Sequence, residues 1–210
     1  MESQWDVYAV TVSGGKPRRL TDHPAADDFP SFSRDGKWIY FSSSRTSPQH
    51  QSLWKVPVAG GDAVQVTTSP AYAPLASPEG LSIYYAETMD RPAGLWRMPI
   101  SGGAPEKVLD GVYLANYVVL SSGIYYVDRP AGDAGIHYVD SPTGETRLRF
   151  FDFATRKSTT VAPNLGNVDL PITASADGRT ILYPRMDPSI HDLMLVANFG
   201  EPSRAADWQA

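Results

Sequence analysis

Apolar residues in this chain come in short, nearly continuous runs. "WIYF" spans 38–41, "SIYYA" 82–86, "GIYYV" 123–127 and "TILYP" 180–184. Each follows a turn signal: Asp35-Gly36, Glu79-Gly80, the shortened "LSSG" ending at Gly123, and Asp177-Gly178. Gly accepts φ > 0 at no steric cost, so an acidic residue followed by Gly between apolar runs predicts a tight hairpin. A sheet with one wet face should alternate apolar and polar residues. These runs do not, which predicts strands packed on both faces.

A third strand follows each run: "LWKVPV" (53–58), "LWRMPI" (95–100), "RLRFFDF" (147–153) and "DLMLVANF" (192–199), with "DVYAVTV" (6–12) as a fifth copy. Fourth strands are expected at "PRRLT" (17–21), "AVQVTT" (63–68), "PEKVLD" (105–110) and "KSTTVAP" (157–163). With four inner strands before the hairpins, the pattern predicts 17 strands. The hairpin glycines are 44, 43 and 55 residues apart, the long interval holding the insertion "RPAGDAGIHYVDSPTGE" (129–145). A period of about 42–46 residues with four strands per unit is what a β-propeller blade needs. The fold class expected is therefore all-β: a propeller of four-stranded antiparallel blades over 1–199, with a tail at 200–210. Three blades are complete and both ends are partial blades. Three arrangements would pair the ends: a clasp in which "PRRLT" completes the last blade, a two-chain ring made by a homodimer, or a larger ring in a longer protein. The last two are favoured.

"LT…PSFSRDGKWIYFSSSR…LWKVPVAGGDAVQVT" resembles the TolB-like propeller repeat, and the likeness runs over roughly residues 5–199. The copy at 117–162 departs most, lacking the acidic hairpin residue and carrying the insertion. The ending "ILYPRMDPSIHDLMLVANF" is similar to the propeller ends of bacterial multidomain regulators. The resemblance implies a binding or scaffolding module for a protein or peptide, the sensing part of such a regulator, in an extracytoplasmic place.

Composition narrows the classes. Net charge is −5, which is no basic nucleic-acid footprint, so no nucleic-acid contact is expected. No apolar run nears the roughly 20 residues of a spanning helix, so membrane insertion is not expected. "MESQWDVYAV" lacks the charged and apolar regions of a signal peptide. There are no cysteines, hence no disulfides or thiolate metal sites.

No nucleophile elbow, phosphate loop or metal motif occurs. The four histidines, His23, His50, His137 and His191, are scattered among loops and the insertion. No catalysis, cofactor or metal is expected. The alternatives are a metal-dependent lyase on a propeller and the accessory propeller of a prolyl oligopeptidase-type hydrolase.

Two positional patterns remain. An Arg follows every second strand: Arg45, Arg91, Arg129 and Arg185, with Asp90, Asp128 and Asp187 beside three of them. They read either as structural ion pairs or as a ring of anion-binding guanidiniums. The connections into the inner strands, "HPAADDFP" (23–30), "SPAYAP" (69–74), "DGVYLANY" (110–117) and "NLGNVDLP" (164–171), hold Asp27, Asp28, Tyr72, Tyr113, Asn116, Asn167 and Asp169. Strand direction alternates, so these loops and the arginines should share one mouth of the channel. They read as ordinary polar loops or as a rim for a partner's peptide. Trp38, Trp54, Trp96, Tyr40, Tyr84 and Tyr125 are expected as packing between blades.

Overall fold

The computed structural model describes residues 5–89, 92–129, 146–186 and 191–197. Regular structure among them is β throughout, in sixteen strands. An N-terminal pair, β1 (Tyr8–Ala9) and β2 (Arg18–Arg19), precedes a complete blade of β3 (Asp27–Phe32), β4 (Trp38–Ser43), β5 (Ser52–Pro57) and β6 (Val64–Gln65). The second blade is β7 (Tyr72–Ala76), β8 (Ser82–Ala86), β9 (Ala93–Pro99) and the start of β10 (Glu106–Val119). The third takes the rest of β10 with β11 (Gly123–Asp128), β12 (Arg147–Asp152) and β13 (Lys157–Ala162). The last comprises β14 (Thr173–Ala174), β15 (Thr180–Met186) and β16 (His191–Ala197). All pairings between strands are antiparallel.

Seventeen strands become sixteen because "PEKVLD" and the expected loop "DGVYLANY" run on into the next inner strand. Val112 pairs with Ala93 on one side and Asp128 on the other, so β10 serves two blades. The corresponding connections of the earlier blades carry Pro24 with Pro30 and Pro70 with Pro74, while 106–119 has no proline. Proline has no N–H to give a ladder.

Burial confirms the two-sided packing that the unbroken apolar runs imply. Ile39 and Phe41 join Val7, Leu20 and Val56 in a cluster against the N-terminal pair, while Tyr40 between them packs with Ile83 and Tyr85 of the second blade. Tyr84 faces the other way, toward Ile124, Tyr126 and Phe151 of the third. Tyr125 and Val127 in turn meet Ile181 and Tyr183 of the last blade. Successive side chains of a strand point to opposite faces, so the second strand of each complete blade feeds two clusters, whereas β15 contributes Ile181 and Tyr183 to one.

The repeated hairpin is held by a side-chain box. Ser33 Oγ donates to Asp35 Oδ1 at 2.7 Å and accepts from Trp38 N at 2.9 Å, while Lys37 N donates to the same carboxylate oxygen at 3.1 Å. Ser175 and Asp177 repeat this at 2.6 Å, with Arg179 N and Thr180 N both at 3.0 Å. The serine hydroxyl and the backbone amide hold both carboxyls below the ordinary aspartate range. In the second blade, Ser82 N donates to Ser77 Oγ at 3.1 Å.

Gly123 is a different case. Gly36, Gly80 and Gly178 have φ of +68°, +74° and +69°, as the turn reading requires, but Gly123 is not left-handed. Its two-residue turn leaves it already paired in β11, where an added Cβ would lie 2.2 Å from the Phe151 carbonyl oxygen. Close backbone approach, not φ, demands glycine there.

The described ends do not form the clasp: β2 pairs with β1, and β16 with β15. Among the described residues no helix is long and apolar enough to cross a membrane.

Gly36→Val should destabilise by about 1–2 kcal/mol through backbone strain alone, since nothing lies within 4 Å of its added Cβ. Gly123→Ala should lower the denaturant midpoint further, by steric collision with the neighbouring strand. Equal midpoints for wild type and Gly36→Val would refute the turn assignment.

Candidate functional site

Register sets the ends of the blades. Asp27 and Asp28 open β3 opposite Ser43 and Ser42, at the end of β4. Tyr72 opens β7 opposite Ala86, Val112 lies opposite Asp128, and Val168 bridges to Arg185. In each blade the entry to the inner strand thus lies beside the exit of the second strand. Asp27, Asp28 and Tyr72 stand in the strands themselves, and Tyr113 and Asn116 in β10; Asn167 and Asp169 stay in a loop and are exposed.

Each of the first three inner strands breaks register at this end. The shift falls between Asp28 and Ser31, between Tyr72 and Leu75, and between Val112 and Tyr117. Phe29, Ala73 and Leu114 take φ of 50°, 50° and 52° within those bulges. A non-glycine residue held left-handed costs on the order of 1–3 kcal/mol. Bulges re-aim side chains, and here they do so at one end of the fold.

In the first full blade, Asp27 is buried and its Oδ2 takes Arg45 Nη2 at 2.6 Å. Arg45 Nε donates to Ser43 Oγ at 3.0 Å, and the guanidinium lies 4.7 Å from the Trp54 ring and 5.3 Å from that of Phe41. The structural reading fits this arginine. Asp28, half-buried, takes Gln51 Nε2 on Oδ2 at 2.9 Å. Burial pushes its carboxyl above the ordinary value; the Gln51 hydrogen bond opposes this and the Asp27 charge adds to it. Gln51 N donates to Tyr72 Oη at 3.2 Å, joining the first and second blades.

In the third blade, Asp128 does not pair with Arg129. Its carboxylate takes Arg147 through Nε and Nη2 at 2.9 and 2.8 Å, and Arg149 Nη1 at 3.1 Å. Chain neighbours on a strand point to opposite faces, whereas Asp128 and Arg147 lie directly across from each other. Arg129 instead donates to Tyr113 Oη at 3.2 Å and lies 5.4 Å from the centre of that ring. Asn116 is buried, donating to Asp169 O and accepting from Ile172 N, both at 3.0 Å, so both ends of its amide strap the third blade to the last. Tyr117 Oη approaches Ala73 O at 2.5 Å and Tyr84 O at 3.0 Å, and complete burial drives its pKa far up.

Arg91, Asp90 and Asp187 fall outside the described residues. Arg185 is half-buried beside Gly166. Gln51, Arg147 and Arg149 are the site-end residues that sequence reasoning missed. The two arginines stand at i and i+2 of "RLRFF", and that period of two was the available signal; Gln51 carried none.

Blades stacked face to face through alternate side chains define a β-propeller. The propeller is TolB-like: TolB of Acinetobacter baumannii superposes with a TM-score of 0.72 at 18% identity, over 91% of this chain and 46% of that one. An oligogalacturonate lyase solved with manganese gives 0.67 at 17% identity, over 95% of this chain and 58% of the lyase. In sequence, 117 residues, 50% of the chain, are 35% identical to an uncharacterized protein of Agrobacterium fabrum, of which they cover 39%. The chain thus spans less than two thirds of each of these proteins. No family model matches it.

Arg45→Ala would leave Asp27 charged and buried, and should destabilise by about 3–5 kcal/mol. Asp27→Leu combined with Arg45→Met should recover most of that loss in the same denaturant titration. Arg129→Ala, which breaks no buried ion pair among the described residues, should move the midpoint little.

Proposed function

We propose that this chain is a non-catalytic propeller module that binds a protein or peptide, with its binding face at the end where the inner strands begin. The observation that carries the reading is the convergence of bulged, polar strand entries at one end of a rigid TolB-like scaffold. Binding residues concentrate where irregular segments sit on rigid elements. Within that face Asn167 and Asp169 are exposed, and Tyr72, Tyr113, Arg129 and Arg185 are half-buried. These form the contact set; Asp27, Arg45 and Asn116 hold it in place. Arg91 completes the arginine series by sequence. A sensing role in a bacterial multidomain regulator accords with the sequence resemblance of the C-terminal end, and an extracytoplasmic place accords with the TolB-like repeat alone. Pairing of two chains into one ring is a further reading of the same partial blades.

A second reading, a metal-dependent lyase, draws on the oligogalacturonate lyase likeness. The described histidines do not favour it. His23 Nδ1 takes Ala25 N at 3.1 Å and His50 Nδ1 lies 3.1 Å from Ser47 Oγ, in separate loops. No group of three His, Asp or Glu converges on a metal position among the described residues.

The test is selection of a displayed peptide library on the full chain. Asn167→Arg with Asp169→Lys should abolish capture of the selected peptides while leaving the melting temperature unchanged. Arg34→Glu, Lys37→Glu and Arg179→Glu, on the hairpin end, should leave capture intact. The opposite pattern would move the binding face to the hairpins. Stoichiometric manganese or zinc surviving dialysis, and lost in His23→Ala, would favour the lyase.

A further inference from the structure

Asp28 and Gln51 meet at the seam between the first and second full blades. Gln51 Nε2 donates to Asp28 Oδ2 at 2.9 Å. The other two atoms of the pair, Asp28 Oδ1 and Gln51 Oε1, are both buried and both lack a partner among the described residues. Each is an acceptor when the carboxyl is ionised. An unsatisfied buried acceptor costs about 1–3 kcal/mol, and here two occur within one hydrogen-bonded pair. Neither is open to water, so whatever meets them must be very small.

We propose that the seam is a proton-binding site: Asp28 is held as the neutral acid, its Oδ1–H donating to Gln51 Oε1 while Gln51 Nε2–H donates to Oδ2. One proton then satisfies both atoms and closes a two-bond acid–amide ring. The groups around it agree. Asp27 on the same strand adds negative charge, and Arg45, the nearby cation, is committed to Asp27 by its Nη2 contact. From β4 the residue opposite is Ser42, whose Oγ takes Ala73 N at 3.2 Å. From β7 the neighbour is Tyr72, a phenol already accepting Gln51 N. His50, next to Gln51, is turned to Ser47 Oγ. No cation from β5 or β7 is paired with the carboxyl among the described residues.

The consequence is a pH-sensitive seam. Gln51 holds the second blade through its backbone N–H to Tyr72 Oη and its backbone carbonyl, which takes Ala71 N at 3.0 Å. Loss of the Asp28 proton sets two acceptors against each other beside those contacts. The folded state binds this proton more tightly than the unfolded chain. Its contribution is therefore complete below the unfolded aspartate value and is lost as pH rises through the higher folded value. The inference stands apart from the partner reading, since its readout is a proton.

The experiment is a carboxyl carbon-13 NMR titration of the full chain, with Asp28 assigned by the signal lost in Asp28→Asn. The Asp28 carboxyl should titrate above the ordinary aspartate value of about 3.9. The melting temperature of the wild type should fall across that step. Asp28→Asn, whose amide can donate to Oε1 and accept from Nε2, should lack that step. A carboxyl titrating at or below the ordinary value overturns the proposal, and so does a variant that keeps the same pH dependence. Calcium or magnesium shifting the Asp28 signal, and raising the melting temperature of the wild type but not of Asp28→Asn, would assign the space to a metal ion and overturn it equally.

Discussion

Burial of both faces of the second strand in each complete blade is the constraint from which the rest of this structure follows. Ile39 and Phe41 serve one interface and Tyr40 the next; Tyr84, Tyr125 and their neighbours continue the scheme around the stack. A sheet with two apolar faces cannot be stable alone. Each fully buried large apolar side chain gains about 1.5–3 kcal/mol only when the neighbouring blade is present. The blades are therefore held by their neighbours more than by themselves, and a seam between blades is where a local change acts on the whole.

That dependence explains the polar chemistry at the strand entries. Each seam carries apolar clusters in its depth, and at the site end polar bonds cross it. Gln51 with Tyr72 closes the first seam, Tyr117 with Ala73 and Tyr84 the second, and Asn116 with Asp169 and Ile172 the third. Bulges with left-handed Phe29, Ala73 and Leu114 bend the inner strands at the same level. Side chains left over from this fastening, Asn167 and Asp169 among them, stay exposed at that end. The acid–amide pair at Asp28 belongs to the fastening, and so makes one seam answer to pH.

Much of the fold was legible because its signals are local. Strand, turn and strand are written in "SRDGKWIYF", and the serine and aspartate of that phrase build the box that closes the hairpin. The period of the repeat then dictates blades. Where local signals misled, a distant partner decided. Gly123 looks like a turn glycine, yet the Phe151 carbonyl across the ladder is what forbids a side chain. "DGVYLANY" looks like a loop, yet it finds β9 on one side and β11 on the other and becomes strand.

By itself the sequence determined the class of fold: unbroken apolar runs require two-faced burial, and a repeat of four strands supplies it by stacking. It also brought the candidate residues to one end of the blades, because strands alternate in direction. Only the tertiary structure decided which of those residues are fasteners. Asp128 finds Arg147 and Arg149 instead of the adjacent Arg129, Arg45 is committed to Asp27, and Gln51, which no motif marks, meets Asp28. The physical reason is that pairing across a ladder or a seam depends on register and facing, and neither is a property of residues adjacent in the chain.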